Sequence, residues 1–489
     1  MTQATPESPL VLTLDIGSSS TRAMLFDRLA QPVEGALAQV STEMRTTSDG
    51  AAEFDPDVLF DSVVTAIDQL LSQVGSLAFE IGGVGIDTFV TNMMGLDGSG
   101  QPITPLYTYA DRRSAPDAEA LREAFDLSEV HDRTGCRIHS AYLPARFRWL
   151  ARTDPSLLKS VAHWLSIGEY LVSKFFGERV VSYSVASWTG LLNRHTLTWD
   201  EEWLGQLPFN EEQLSPLVDI DQPQRGLKPM WAERWPQLKD VPWFPAAGDG
   251  AAANVGSGCT KPDRLALTVG TTGAMRVLVD KKVDTVPDGL WLYRLNRRYG
   301  LLGGATTEGG NVYAWLNKTL KLPKNSEAEL TQMPPGGHGL TVLPFLAGER
   351  APGWHDDARA TFSGLTLNTQ PIDILQAGLE AVALRFAIIH RQMLPSLPSE
   401  HQIIASGNGL LSSPAWMQIM ADVLNRPVTA SAEQEATSRG MAFSVLDALD
   451  VADIPSPALG ETFMPRSANH TQYQKALENQ LYLYNRIIN

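Results

Sequence analysis

The chain is poor in cysteine: among 489 residues only Cys136 and Cys259 carry a thiol, far apart and without Cys-x-x-Cys spacing. That excludes a disulfide framework and a thiolate zinc site, and it makes a reducing compartment, the cytoplasm, the expected setting. Long apolar runs are missing too. Charge, Gly or Pro interrupts each one well before the roughly 18 residues that a membrane-crossing helix needs, so no membrane partner is expected. The opening Met-Thr-Gln-Ala-Thr-Pro-Glu-Ser-Pro-Leu has neither a basic nor an apolar stretch and reads as a disordered tail rather than a signal peptide. Basic stripes are absent as well. Lys and Arg number 39 against 55 Asp and Glu, a formal net charge of -16, which argues against a nucleic-acid partner and leaves any anionic ligand to be held by local donors. No GxxxxGK[ST], HExxH or GxSxG motif occurs.

What is present begins at Leu12-Thr-Leu-Asp15-Ile-Gly17-Ser18-Ser19-Ser20-Thr21-Arg22, where an apolar run reaches Asp15, reverses at Gly17 and re-enters an apolar run ending at Asp27. The pattern predicts a strand-turn-strand cradle. Backbone N–H groups and hydroxyls crowded into the turn suit phosphate oxygens, Arg22 adds charge, and Asp15 is placed to hold a metal ion through water. An echo stands at Leu265-Ala-Leu-Thr268-Val-Gly270-Thr271-Thr272-Gly273, ending at Asp280, with the same spacing from Gly to Asp. Alone, either is an ordinary Ser/Thr-rich hairpin. Together, in a chain too long for one core, they predict two similar domains whose turns grip a nucleoside triphosphate.

Between the hairpins, Asp55-Pro56 opens a helix with Leu59, Val63, Ile67 and Leu70 at helical spacing. Ile81 to Asp87 reads as a strand, and the polar run Tyr107-Thr-Tyr109-Ala-Asp111-Arg112-Arg113 as a ligand edge. Most tryptophans after Trp149 read as core, with Trp188 set apart for reasons below. In Gly248-Asp249-Gly250 a carboxylate opens a helix between glycines, which fits a helix cap as well as a catalytic acid. The second half offers Gly303-Gly-Ala-Thr306-Thr307-Glu308-Gly309-Gly310-Asn311, a glycine-rich turn entering an aromatic helix, and Ser406-Gly407-Asn408-Gly409, a glycine turn that lets a flat base lie against backbone. Tyr473 to Ile488 reads as a closing amphipathic helix. Strands joined by helices in both halves predict α/β domains with mixed sheets.

From about Leu10 to Asp447 the chain resembles the FGGY carbohydrate kinases, within the actin-like ATPase group. The motifs that carry the likeness are Asp15-Ile-Gly-Ser-Ser-Ser-Thr-Arg22, Gly248-Asp-Gly250, Gly270-Thr-Thr-Gly273, Phe345-Leu-Ala-Gly-Glu-Arg350, Leu379-Glu-Ala-Val-Ala383 and Ser406-Gly-Asn-Gly409. The resemblance implies an α/β fold of two ribonuclease-H-like domains with a cleft between them. Residues 1–9 would form the tail, 10–258 the N-terminal domain and 259–489 the C-terminal domain. It further implies ATP and Mg²⁺ as cofactors, with Asp249 as general base and Asp15 and Asp249 beside the metal. Ser18, Ser19 and Arg22 would form the first phosphate loop and Gly270, Thr271 and Thr272 the second. Gly407, Asn408 and Ser412 would hold the adenosine, supported by Gly309 and Asn311.

Tyr109 to Arg113, Arg133 to Arg146, and Ser184 to Leu192 are similar to the gluconokinase branch, which implies gluconate as acceptor, carried to 6-phosphogluconate. Thr91, Asn92, Asp111, Arg112, His139 and Tyr142 would line its site with Asp249, and Arg112, Arg137, His139 and Arg146 are candidate partners for its carboxylate. Four positions depart from that branch: Thr91 replaces a His, Trp188 a small Gly, Asn408 a Gly, and Gln370 a His. The first two leave a ketopentose such as xylulose or ribulose as the alternative acceptor. A non-phosphorylating actin-like ATPase and a sugar-binding pseudoenzyme are the competing classes, and a homodimer is the assembly considered.

Overall fold

The computed structural model describes residues 6–280 and 283–488. The first five residues of the expected tail lie outside the described residues. Of the rest of that tail, Glu7 and Ser8 are held in place. The Glu7 carbonyl accepts from Arg28 N at 2.9 Å, and Ser8 Oγ donates to Glu80 at 2.7 Å. Among the described residues no helix is long and apolar enough to cross a membrane.

The first sheet is built from β1 (Leu10–Ile16), β2 (Ser20–Phe26), β3 (Pro32–Ser41), β4 (Ile81–Thr88) and β5 (Ala247–Gly248). Its order is β5-β4-β1-β2-β3. β1 and β2 form the expected antiparallel hairpin, in register from Val11 opposite Phe26 to Ile16 opposite Thr21. β1 is buried along its whole length, as a central strand covered on both faces must be. The helix α1 (Pro56–Val74) starts where the sequence expects it, with Asp55 accepting from Asp57 N and Val58 N at 3.0 and 3.2 Å. The predicted tryptophan core is real: Trp231, Trp235 and Trp243 stack in series and close around Phe175.

Asp249 opens the helix α2 (Asp249–Gly256). The second large sheet follows, with β6 (Arg264–Val269), β7 (Gly273–Asp280), β8 (Trp291–Arg294), β9 (Tyr299–Thr306), β10 (Gln402–Ser406), β11 (Val428–Ser431) and β12 (Leu459–Phe463) in the order β8-β9-β7-β6-β10-β11-β12. Here too a hairpin, β6–β7, lies beside a parallel strand, β10. The echo in sequence is therefore an echo in topology.

Two compact units divide the chain, and they are not contiguous in sequence. One comprises residues 6–256, 292–301 and 435–456, and the other 257–291, 302–434 and 457–488 within the described range. The late helix α3 (Ala436–Ala448) thus belongs to the first unit, where it covers β1 and β4. Gly83 and Gly85 on β4 admit it: a side chain on either would meet Val445 within 3 Å.

The second unit buries an imidazole pair. His390 Nε2 and His401 Nε2 lie 2.8 Å apart, with His401 Nδ1 on the Pro398 carbonyl at 2.9 Å. Burial, reinforced by the neighbouring ring, lowers the His390 pKa to about 3, and burial lowers that of His401. Between about pH 6.5 and 3 the unfolded chain binds a proton that folded His390 refuses, so stability falls as pH drops through that window and is level above it. A slope of up to about 1.4 kcal/mol per pH unit is expected in the unfolding free energy from urea titrations. His390→Leu should flatten it, and an unchanged slope would show that other groups carry the acid lability.

Candidate functional site

In the first unit, strand register delivers three carboxylates to one place. Asp15 at the end of β1 pairs across the parallel ladder with Asp87 on β4, Asp87 pairs with Ala247 on β5, and Asp249 follows two residues later. Strands that run parallel end together, which is why acids far apart in sequence converge. Each has a different environment. Asp15 is buried and its Oδ2 accepts from Arg22 Nε at 3.1 Å and from a second guanidinium nitrogen, while Arg22 also donates to Glu435 at 2.6 Å. Burial works against the Arg22 charge, but Asp15 and Glu435 outweigh it and raise its pKa. Asp249 is half-buried, with Gly250 N donating to its Oδ1 at 2.6 Å.

Asp87 was not picked out in the sequence. It is fully buried, with the Asp15 carboxyl as its side-chain hydrogen-bonding neighbour. Burial, then the charges of Asp15 and Asp249, push its carboxyl well above the usual range, favouring the neutral acid. An acid at the end of an otherwise apolar strand was the available signal. Its meaning depends on the strands beside it.

The turn Gly17–Ser20 closes with Gly17 N donating to Ser20 O at 3.0 Å, leaving Ser19 exposed and Ser18 half-buried. In the second unit the remaining loops meet backbone to backbone. Gly270 N donates to Thr272 O, Gly310 N to Gly270 O and Asn311 N to Thr271 O, at 2.7 to 3.0 Å. A Cβ on Gly309 would fall 2.6 Å from Thr272, and one on Gly407 or Gly409 within 2.7 Å of the Val269 or Gly270 carbonyl. Gly270, Thr271, Thr272, Gly309, Asn311, Gly407 and Asn408 therefore form one cluster, with Thr271 and Thr272 exposed on it. Gly407 takes the positive φ of the third turn (89°), and Asn408 begins a short helix. The Gly-to-Asn departure at position 408 therefore needs no glycine-like conformation, because its neighbour carries the positive φ. Asn311 braces the loop, accepting from Gly309 N and donating to Thr307 O. Ser412 is exposed at the end of that short helix, while the adjacent Ser413 is bonded to Glu327 at 2.8 Å.

Glu308, in the same loop, is buried at 1% exposure and also escaped notice in the sequence. Burial lifts its pKa to about 7, with Glu349 adding to the shift and Thr307 and Arg385 opposing it. Glu349 of the Phe345–Arg350 motif is itself engaged by Arg385 and by Tyr484 Oη, and so braces the core.

The expected acceptor residues divide. Thr91 is buried with φ 54°, a costly conformation for a β-branched residue. It is held by Arg146, whose guanidinium donates to Thr91 O at 2.6 Å and to Thr108 O. Arg146 is fully buried, burial lowers its pKa to about 10, and both of its terminal nitrogens are engaged by carbonyls. Asn92 is spent on Phe89 O and Ile167 N. The run Tyr107–Arg113 is polar because it pairs internally. Buried Asp111 holds Arg113, which also binds Glu53 and lies over Trp149. Arg112 is exposed. His139 accepts from Ala141 N, and Tyr142 Oη bonds Tyr293 Oη.

Among the described residues no group of three His, Cys, Asp or Glu is arranged to hold a metal by itself. Mg²⁺ seldom needs one, because it keeps several waters and takes one or two carboxylates plus substrate phosphates. Asp15 on β1 and Asp249 directly after β5, the two strands that flank β4, fit that donor set.

Residues 10–256 match the FGGY family of carbohydrate kinases, N-terminal domain, and residues 265–445 the C-terminal domain of the same family. A gluconokinase of Bacillus licheniformis is 27% identical over 485 residues, covering 96% of this chain and 94% of its own. Two solved structures from Lactobacillus acidophilus, a gluconate kinase and a ligand-bound xylulose kinase, each align with a TM-score of 0.91 at 25% identity, covering 98% of both chains.

Proposed function

Starting from its membership of the FGGY family of carbohydrate kinases, with the two-domain actin-like ATPase fold of that family, we propose that this chain phosphorylates gluconate to 6-phosphogluconate with ATP. What carries the reading is the division of labour between the half-buried Asp249 and the backbone-lined glycine loops. The former is a base for an alcohol, and the latter a cradle for a nucleotide.

Phosphoryl transfer asks the protein mainly for alignment and for charge at the transferring oxygens. Asp249 accepts the proton of the acceptor hydroxyl as its oxygen attacks the γ-phosphorus. Asp15 and Asp249 would hold Mg²⁺, which when bound supplies positive charge to the phosphate oxygens. Ser18, Ser19, Thr271 and Thr272 offer hydroxyls and backbone N–H groups to phosphate, with Arg22 adding charge. Gly407, Asn408 and Ser412 take the adenosine, and Arg112 takes the acceptor carboxylate. The setting is cytoplasmic.

The similarity to gluconokinases supports gluconate. A ketopentose is favoured by a different observation: Arg146 spends its donors on carbonyls, leaving fewer cations for a carboxylate. Coupled ADP release measured with gluconate, xylulose, ribulose and glycerol separates the two. Preference for gluconate supports the sugar-acid reading, preference for a ketose overturns it within the kinase class, and ADP release indifferent to every acceptor overturns the phosphorylation of a sugar.

A further inference from the structure

Trp188 ends the short helix Tyr183–Ser187, and side chains on both sides fasten that turn. Ser182 Oγ donates to Ala246 O at 2.5 Å, and Gly248 N donates to Ser184 Oγ at 3.1 Å, tying it to β5 immediately before Asp249. Arg294 N donates to Ser187 Oγ at 2.9 Å, tying it to the segment 292–301. The indole is stacked on Tyr293 with ring centres 3.7 Å apart and planes 23° from parallel, and the Tyr293 hydroxyl bonds that of Tyr142.

The other edge of the indole meets the chain that carries the base. A Cβ on Gly248 would lie 2.8 Å from Trp188 Nε1 and 2.9 Å from Val90, the residue before strained Thr91. Gly248 is thus the residue that the indole requires, and Trp188 fills the space between Gly248, the residue before Asp249, and the Tyr293–Tyr142 pair. Its exposure is 9%, against 1% for Tyr293. Stacked on Tyr293 and meeting Gly248 with its other edge, the ring is braced against swinging away to admit a longer molecule.

We propose that Trp188, backed by Tyr293, is a specificity-determining wall of the acceptor site, limiting how long a polyhydroxy chain can be when it presents a hydroxyl to Asp249. The proposal rests on the reading of Asp249 as the acceptor's base, and it commits the enzyme to compact acceptors. An aromatic wall discriminates by size and by contact with C–H faces, whereas a charged wall would discriminate by the acceptor's carboxylate.

The test is a homologous series of glycerol, xylulose, gluconate and glucoheptonate, run on wild type, Trp188→Gly and Trp188→Phe, with kcat/KM and calorimetric affinity for each acceptor and KM for ATP. Trp188→Gly is expected to raise glucoheptonate relative to the best wild-type acceptor by about tenfold or more, the scale of a pocket's discrimination by chain length. KM for ATP should stay within about twofold, and Trp188→Phe should keep the wild-type ranking. If Trp188→Gly proves unfolded by circular dichroism, Trp188→Leu takes its place. An unchanged ranking in a folded small-residue variant overturns the proposal. If no acceptor is turned over by wild type, the proposed function falls, and calorimetry still decides the wall: a shift toward longer ligands supports it, and equal or absent binding in both proteins overturns it.

Discussion

Replacing Asp249 by asparagine is expected to lower kcat by about 10²- to 10⁴-fold, the usual contribution of a positioned general base. The amide keeps the shape and retains an oxygen that can accept from Gly250 N, so the helix start should survive and thermal stability should change little. KM for ATP should remain within a few-fold, because the nucleotide cradle proposed for the second unit would be built from Gly270, Gly309 and Gly407 backbone rather than from this side chain. The informative measurement is therefore the pair of kcat and KM for ATP, with a melting curve alongside. Turnover within about tenfold of wild type would remove Asp249 from the role of base. Loss of nucleotide affinity in step with kcat would instead make it a binding residue.

The second large effect is expected from a methyl group placed well away from any reacting atom. α2 and α3 cross glycine to glycine: a Cβ on Gly440 would lie 1.9 Å from Ala252 O, and one on Gly256 1.7 Å from Ala436 O. On an exposed helix Gly→Ala gains up to about 1 kcal/mol. Here the sign reverses, since the obstacle is backbone carbonyl and the helices must separate. Overpacking of this kind costs about 1–3 kcal/mol and sometimes more. Gly440→Ala should therefore lower the melting temperature by about 2–5 °C, and Gly256→Ala likewise. Because α2 begins at Asp249, the residual folded protein should also lose turnover. A melting temperature equal to or above that of wild type would show that the crossing yields at little cost.

Much of the site could be read from local pattern. The Gly17 and Gly270 turns were recognisable because the same hydroxyl-rich reversal recurs with the same Gly-to-Asp spacing in both halves, and both proved to be antiparallel hairpins beside a parallel strand. The helix start at Asp55-Pro56 followed from capping chemistry. The acceptor residues were less legible. Asp111 reads as a ligand-facing acid until Arg113 and Glu53 are seen beside it, and Asn92 as a sugar contact until Phe89 O and Ile167 N claim it. A polar side chain in a short motif carries no record of whether the fold has already supplied its partner.

The sequence by itself determined the family, the two hairpins, the glycine loops and the acid at a helix start, because these rest on backbone conformations and spacings encoded within about a dozen residues. Only the tertiary structure decided that Asp87 joins Asp15 and Asp249, that Ala436–Ala448 covers the first sheet, and that Trp188 stands between Gly248 and Tyr293. The physical reason is register and packing across long separations. A strand's neighbours fix which acids share a place, and a helix's apolar face says that it will be buried without saying against what.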